Sequence, residues 1–290
     1  MSFPMRFLDP KTDFAFKKIF GSPQSKPILI EFLNALVYDG QPTIQDLEIL
    51  DPYQSPQLQG IKDTFLDVKA KLDSEKTVLI EMQVLNPLDF NKRVLYNAAK
   101  AYSLQLERGQ GYSRLRPVIA LTIVDFVLFP ERDRPFSHYQ LLDRDDGLPY
   151  GDDLELIFIE LPKFRKSLAE LETLADLWVF FLQKTAELDE VPAPLDQNPN
   201  LTSAFQIAET ANLSPAEFEL VERRALMVED SRNVVRRAVQ EARQEARQER
   251  NREIARSLLG LLPPDVIAER TGLTTEDVQA LQEQDESGNS

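Results

Sequence analysis

Two apolar runs, Lys62–Leu72 and Thr77–Leu85, flank the polar triplet Asp73-Ser74-Glu75, and this pattern narrows the fold more than any other. Short runs rich in Val, Leu and Ile and bounded by turn residues read as strands. A polar turn this short joins them as an antiparallel hairpin. Residues i and i+2 of a strand share a face, so Glu81 and Gln83 project together from the second strand. Folding back at the turn brings Asp67 beside them. Two carboxylates converging on one point suit a hard divalent cation, Mg²⁺ first, with Mn²⁺ or Ca²⁺ as substitutes. A cation held by acids is common equipment for cutting a phosphodiester bond. Phe65, Leu66, Val68, Val78, Leu79 and Ile80 surround these acids. Such neighbours imply strands covered on both faces, where a carboxylate needs a metal, Lys or Arg as partner.

The 290 residues include no cysteine, which excludes disulfides, zinc–thiolate sites and cysteine nucleophiles. The single His138 excludes a two-histidine metal site within one chain and reads as a loop residue. No apolar run reaches the roughly 18 residues that span a bilayer, and Met1–Pro10 lacks the apolar stretch of a signal peptide. The expectation is a cytoplasmic protein without membrane contact. The formal charge of −15 opposes nucleic-acid binding if spread evenly, because DNA affinity comes largely from phosphate neutralisation. It is not spread evenly. Between Phe90 and Ala120, Lys92, Arg93, Lys100, Arg108, Arg114 and Arg116 stand against Glu107 alone. This is either a basic surface beside the acidic strands or a solvated helix face, and spacing leaves both open.

Along the chain, Phe16, Ile19 and Phe20 fall at helical spacing before Gly21, and Pro27–Val37 is a second amphipathic helix. Ile44–Leu50 reads as a strand, followed by the hairpin and a helix from about Leu88 to Glu107. Pro117–Phe126 and Leu154–Leu161 are apolar enough for buried strands. The order points to an α/β domain with helices against a mixed sheet. Leu168–Glu187 is a helix in which Trp178 is a core residue. Val191–Asn200 reads as a proline-rich linker, and Ser214-Pro215 starts a helix reaching about Leu259, with a break allowed along it. In its middle a four-residue repeat stacks Glu241 over Glu245 and Arg243 over Arg247. A solvated helix is the plainer reading of that repeat; self-association through its charged stripes is the sharper one. Pro264–Glu269, a Gly turn and Thr274–Leu281 make a small helical pair, with Thr274 and Asp277 as a capping box. It resembles a helix-turn-helix, yet its acidic second helix favours a plain hairpin.

Asp67, Glu81 and Gln83 resemble the signature of the PD-(D/E)XK nuclease superfamily, most closely the Rpn (recombination-promoting nuclease) or PD-(D/E)XK transposase-like branch. The motifs Asp9-Pro-Lys-Thr-Asp13-Phe-Ala-Phe-Lys-Lys-Ile-Phe-Gly21, Phe65-Leu-Asp67-Val, Ile80-Glu81-Met-Gln83, Arg93-Val-Leu-Tyr96, Tyr102-Ser-Leu-Gln105, Gly111-Tyr112 and Pro117-Val-Ile-Ala follow that family's order. The likeness spans roughly residues 5 to 185. It implies a restriction-endonuclease-like α/β core, a mixed central sheet flanked by helices, with an α-helical C-terminal extension.

The resemblance also implies roles. Asp67 and Glu81, with the backbone carbonyl of Met82, would bind Mg²⁺, and Asp67, Glu81 and Gln83 would be the catalytic set. The superfamily usually has Lys where this chain has Gln83, and Gln brings hydrogen bonds but no charge. Lys69 and Lys100 are candidates for the missing cation, although Lys69 reads more plainly as a strand-face lysine in solvent. Arg93, Lys100 and Arg114 are candidate DNA contacts. Glu31, on the second helix, is an auxiliary acid, Asp63 a peripheral one, and Asp125 a strand-end residue. The expected organisation is a nuclease-like domain over 1–190, a linker and short helix over 191–213, a long charged helix over 214–259, and a helical hairpin with acidic tail over 260–290. The activity implied is Mg²⁺-dependent DNA endonuclease action linked to recombination or mobile elements. The rivals are a DNA-binding or assembly protein that keeps the fold without turnover, and an interaction protein acting through its charged helix.

Overall fold

The structure, a computed structural model, describes residues 6–54 and 64–288. Asp63 lies outside the described residues. The chain divides into two compact units, one up to Arg224 and one from Ala225.

The first unit begins with α1 (Asp13–Phe20) and α2 (Lys26–Val37). The Thr12 hydroxyl caps α1 by accepting from the Ala15 N–H. Strands β1 (Leu47–Leu50), β2 (Tyr53–Gln54), β3 (Thr64–Phe65), β4 (Val68–Leu72) and β5 (Thr77–Gln83) lead to α3 (Phe90–Ser103). Then come β6 (Val118–Val124), β7 (Phe136–Tyr139), β8 (Leu154–Glu160), α4 (Leu174–Lys184), α5 (Ala193–Asp196), α6 (Pro199–Ala208) and the start of α7 (Pro215–Leu258). The main sheet has the order β1-β4-β5-β6-β8-β7. Its β5, β6 and β8 are parallel, whereas β1/β4, β4/β5 and β7/β8 are antiparallel.

Both sheet faces are covered. On one, Phe16 and Phe20 of α1, Phe32 of α2, Trp178 and Phe181 of α4 and Phe205 of α6 pack with Val68, Ala70, Val78, Ile80 and Met82. On the other, Phe90, Val94 and Ala98 of α3 pack with Leu79, Ala120, Val124 and Phe158. All of β6 is buried, as its unbroken apolar run requires. The chain also closes on itself. Leu8 N–H donates to Ala208 C=O at 2.7 Å and Thr210 N–H to Arg6 C=O at 2.8 Å.

Several expectations are corrected. The first hairpin strand is interrupted at Leu66-Asp67. Its β3 part pairs with β2 in a separate two-stranded sheet, and only β4 joins the main one. The helix expected from Leu88 starts at Phe90, after Asp89 takes a left-handed conformation, and ends at Ser103. His138 is on edge strand β7, too short and polar to read as a strand, where its ring meets Glu155 at 3.1 Å. The proline-rich stretch read as a linker forms α5 and the start of α6. Pro194 and Pro199 sit in first helical turns, where a missing N–H costs nothing, and Leu195 is fully buried.

In the second unit, α7 runs unbroken to Leu258, followed by α8 (Pro264–Thr271) and α9 (Thr275–Gly288). Ala255, Ile267, Ala268, Val278 and Leu281 form its small core. Gly272 makes the turn at φ +70°, and Thr274 and Asp277 form the expected capping box.

Candidate active site

The acids gather where β5 and β6 end, the carboxyl end of parallel strands at which α/β folds usually hold their ligands. The antiparallel register ends with Val68 opposite Ile80, so Asp67 lies just past the last pair, beside Ile80 and Met82 of β5. The ladder stops there. Asp67 N–H donates to Ile80 C=O at 3.2 Å, and Asp67 Oδ2 accepts the next N–H of β5, that of Met82, at 2.7 Å. The break in the hairpin is thus what frees the Asp67 carboxylate to turn along β5. In β5, Val78, Ile80 and Met82 enter the core, so Glu81 and Gln83 face the other side, toward α3.

Two helices bring cations to these acids. From α3, Arg93 Nη2 donates to Glu81 Oε1 at 2.5 Å and to Gln83 Oε1 at 2.7 Å. The Gln83 amide is oriented further by donating from Nε2 to Leu85 C=O at 2.9 Å. From α1, Lys17 Nζ lies 2.6 Å from Asp13 and 3.7 Å from Asp67. Burial, and then the hydrogen-bonded carboxyl of Asp13, push the Asp67 carboxyl up to about 7. Burial likewise raises Glu81, against the pull of Arg93. Beside them Asp125 N–H donates to Gln83 C=O at 2.9 Å, and Lys11 reaches Asp125 at 3.5 Å.

The model of the family described as PD-(D/E)XK nuclease family transposase matches residues 10–238. The chain belongs to this family. No curated protein and no solved structure matches it significantly. The six-stranded mixed sheet with flanking helices is therefore a PD-(D/E)XK nuclease-like fold, and the protein is nuclease-like or transposase-related. The family match runs past α6 into α7, in keeping with the burial of α5 and α6 in the core.

For this PD-(D/E)XK protein, the structure joins Glu81, Gln83 and Arg93 in one group and Asp67, Asp13 and Lys17 in another, with the Met82 N–H donating to Asp67. It does not join the rest. Lys69 stands opposite Leu79, further along β4 toward the turn; burial lowers its pKa, opposed by Asp51. Lys100 is buried in α3, two turns beyond Arg93. Glu31 faces α6, where Asn200 donates to its Oε2 at 2.7 Å. Arg114 precedes β6, which starts opposite Thr77, the far end of β5 from Gln83.

Asp13, Lys17 and Lys11 had no role assigned from sequence. The signal was present, since Asp13 and Lys17 are an i,i+4 pair within the N-terminal motif. What the spacing could not reveal is that α1 packs with its first turn toward the end of β5.

A divalent cation fits the donor set. The buried carboxyl of Asp67 shares a hydrogen bond, and so a proton, with that of Asp13, and a cation would displace that proton. Among the described residues no three acidic or histidine side chains form a ready cage. An ion here would be bound by one or two carboxylates and completed by substrate phosphate.

Proposed function

We propose that this protein is a divalent-cation-dependent DNA endonuclease, with Mg²⁺ as the natural ion, acting on cytoplasmic DNA in recombination or element mobility. The observation that carries this reading is the hydrogen bond that the Met82 N–H, between Glu81 and Gln83 at the carboxyl end of β5, donates to the Asp67 carboxylate, with Asp13 beside Asp67. Asp67, Glu81, Asp13 and the Met82 carbonyl are the groups that would hold the ion. When bound, such an ion lowers the pKa of a water and offsets charge on the phosphate. The chain's own residues do the rest. Gln83, held by the Leu85 carbonyl, presents a fixed amide that orients water or phosphate by hydrogen bonding. The positive charge that Gln83 lacks comes from Arg93 and Lys17, whose side chains remain 39% and 42% exposed and so open to a phosphate.

The test is nicking of supercoiled plasmid by pure protein in Mg²⁺ or Mn²⁺. Wild type is expected to cut, EDTA to stop it, and Asp67→Ala or Glu81→Ala to reduce cutting at least about 10³-fold. DNA retention without cutting by the wild type would instead establish the DNA-binding reading. Among the described residues no helix is long and apolar enough to cross a membrane.

A further inference from the structure

Arg93 is bound in an unusual way for a guanidinium. One nitrogen, Nη2, serves both Glu81 and Gln83. The group lies over the Phe90 ring, 4.9 Å from its centroid, and its Nε is buried with no hydrogen-bond partner among the described residues. One turn along α3, Asn97 Oδ1 is also buried without a partner. Guanidinium–oxyanion pairs are strongest when two N–H groups of the fork meet two oxygens. Glu81 does not offer that here. A DNA phosphate does, and a side chain 39% exposed can reach one.

Charge points the same way. The half-buried Glu81 carboxylate already holds the Arg93 cation at 2.5 Å. A divalent ion brought to the same carboxylate sets a second positive charge beside the first, where like charges repel strongly. Transfer of Arg93 to a phosphate removes that repulsion and releases Glu81.

We propose that Arg93 makes cation loading conditional on DNA: its guanidinium holds Glu81 and Gln83 until a backbone phosphate draws it off, and only then does Glu81 join Asp67 around the ion. Arg93 is then a positioning residue that acts through Glu81. By linkage, the ion tightens DNA binding by the same factor that DNA tightens ion binding. The inference rests on the reading of Asp67 and Glu81 as cation ligands.

Calcium binding to the full chain, followed by titration calorimetry, tests it without reference to cutting. In the absence of DNA, Arg93→Gln is expected to bind Ca²⁺ roughly tenfold more tightly than wild type. Glu81→Gln added to Arg93→Gln should erase the gain. A short duplex should tighten Ca²⁺ binding by wild type far more than by Arg93→Gln. Arg93→Lys keeps the charge but loses the fork. It should fall between the two, and it carries the test if circular dichroism shows the Gln variant unfolded. Equal or weaker Ca²⁺ binding by the variants without DNA overturns the gate but leaves the cation site standing; Glu81 then serves Arg93 and the ion at once, one oxygen each. No Ca²⁺ binding by any of these chains, with or without DNA, overturns the cation site and the gate together.

Discussion

At the scale of single residues, Asp67 is held by opposing influences. Burial and the Asp13 carboxyl push it up from an ordinary 3.8 to about 7, and the Met82 N–H and Lys17 pull it back only in part. In EDTA, between about pH 4 and 7, the folded chain keeps a proton that the unfolded chain has released, so stability should fall as pH rises through that window. Asp67→Asn has no such proton to lose. Its urea midpoint is expected to fall less than that of wild type from about pH 4 to 7, with the raised Glu81 carboxyl still adding to the fall, and to exceed that of wild type at about pH 8, with activity lost; parallel pH curves for the two chains would contradict this. Mg²⁺ should stabilise wild type at pH 8 and not the Asn variant, by mass action on the folded state. That Glu81 and Gln83 share a face was legible, because a strand's two-residue period fixes it; the turn of Asp67 out of the ladder was not. Arg93 was legible as a basic residue on a stripe, but not as the partner of Glu81, since only the packing of α3 on β5 sets which acid it meets. Lys17 as the cation near Asp67 was not legible, because it comes from an element far away in sequence.

At the scale of elements, α6 matters more than its place after a proline-rich stretch suggests. Phe205 is buried, with its ring 5.2 Å from Phe7 and 4.9 Å from Phe181. It links the segment before α1 to α4. Phe205→Ala should cost about 3–5 kcal/mol by urea denaturation, for lost burial and a residual cavity. A cost below about 1 kcal/mol would make α6 a surface helix. The sheet strands were readable because apolar runs such as β6 admit few alternatives. By contrast α5 and α6 were hidden, because proline marks both a loop and a helix start, and only the burial of Leu195 and Leu201 separates the two. Edge strand β7 was hidden because four residues with one His and one Ser carry no two-residue pattern.

At the scale of the molecule, a chain of charge −15 that grips DNA must do so through a small basic area against a general repulsion. If Arg93, Lys17 and Lys11 make the main phosphate contacts, log affinity should fall against log salt with a slope of about −3. Arg93→Gln should reduce that slope by about one; a slope near −8 would require a much wider basic surface. The closure of the chain on itself has a consequence for the order of events at the ribosome. Asp13 and Lys17 are made well before α6, yet the residues just before their helix are fastened to Ala208 and Thr210, with Arg6 and Thr210 204 residues apart. The helix that carries them therefore gains its full anchorage only once α6 has been made. If the site cuts DNA as proposed, that late anchorage would delay cutting until the core is whole.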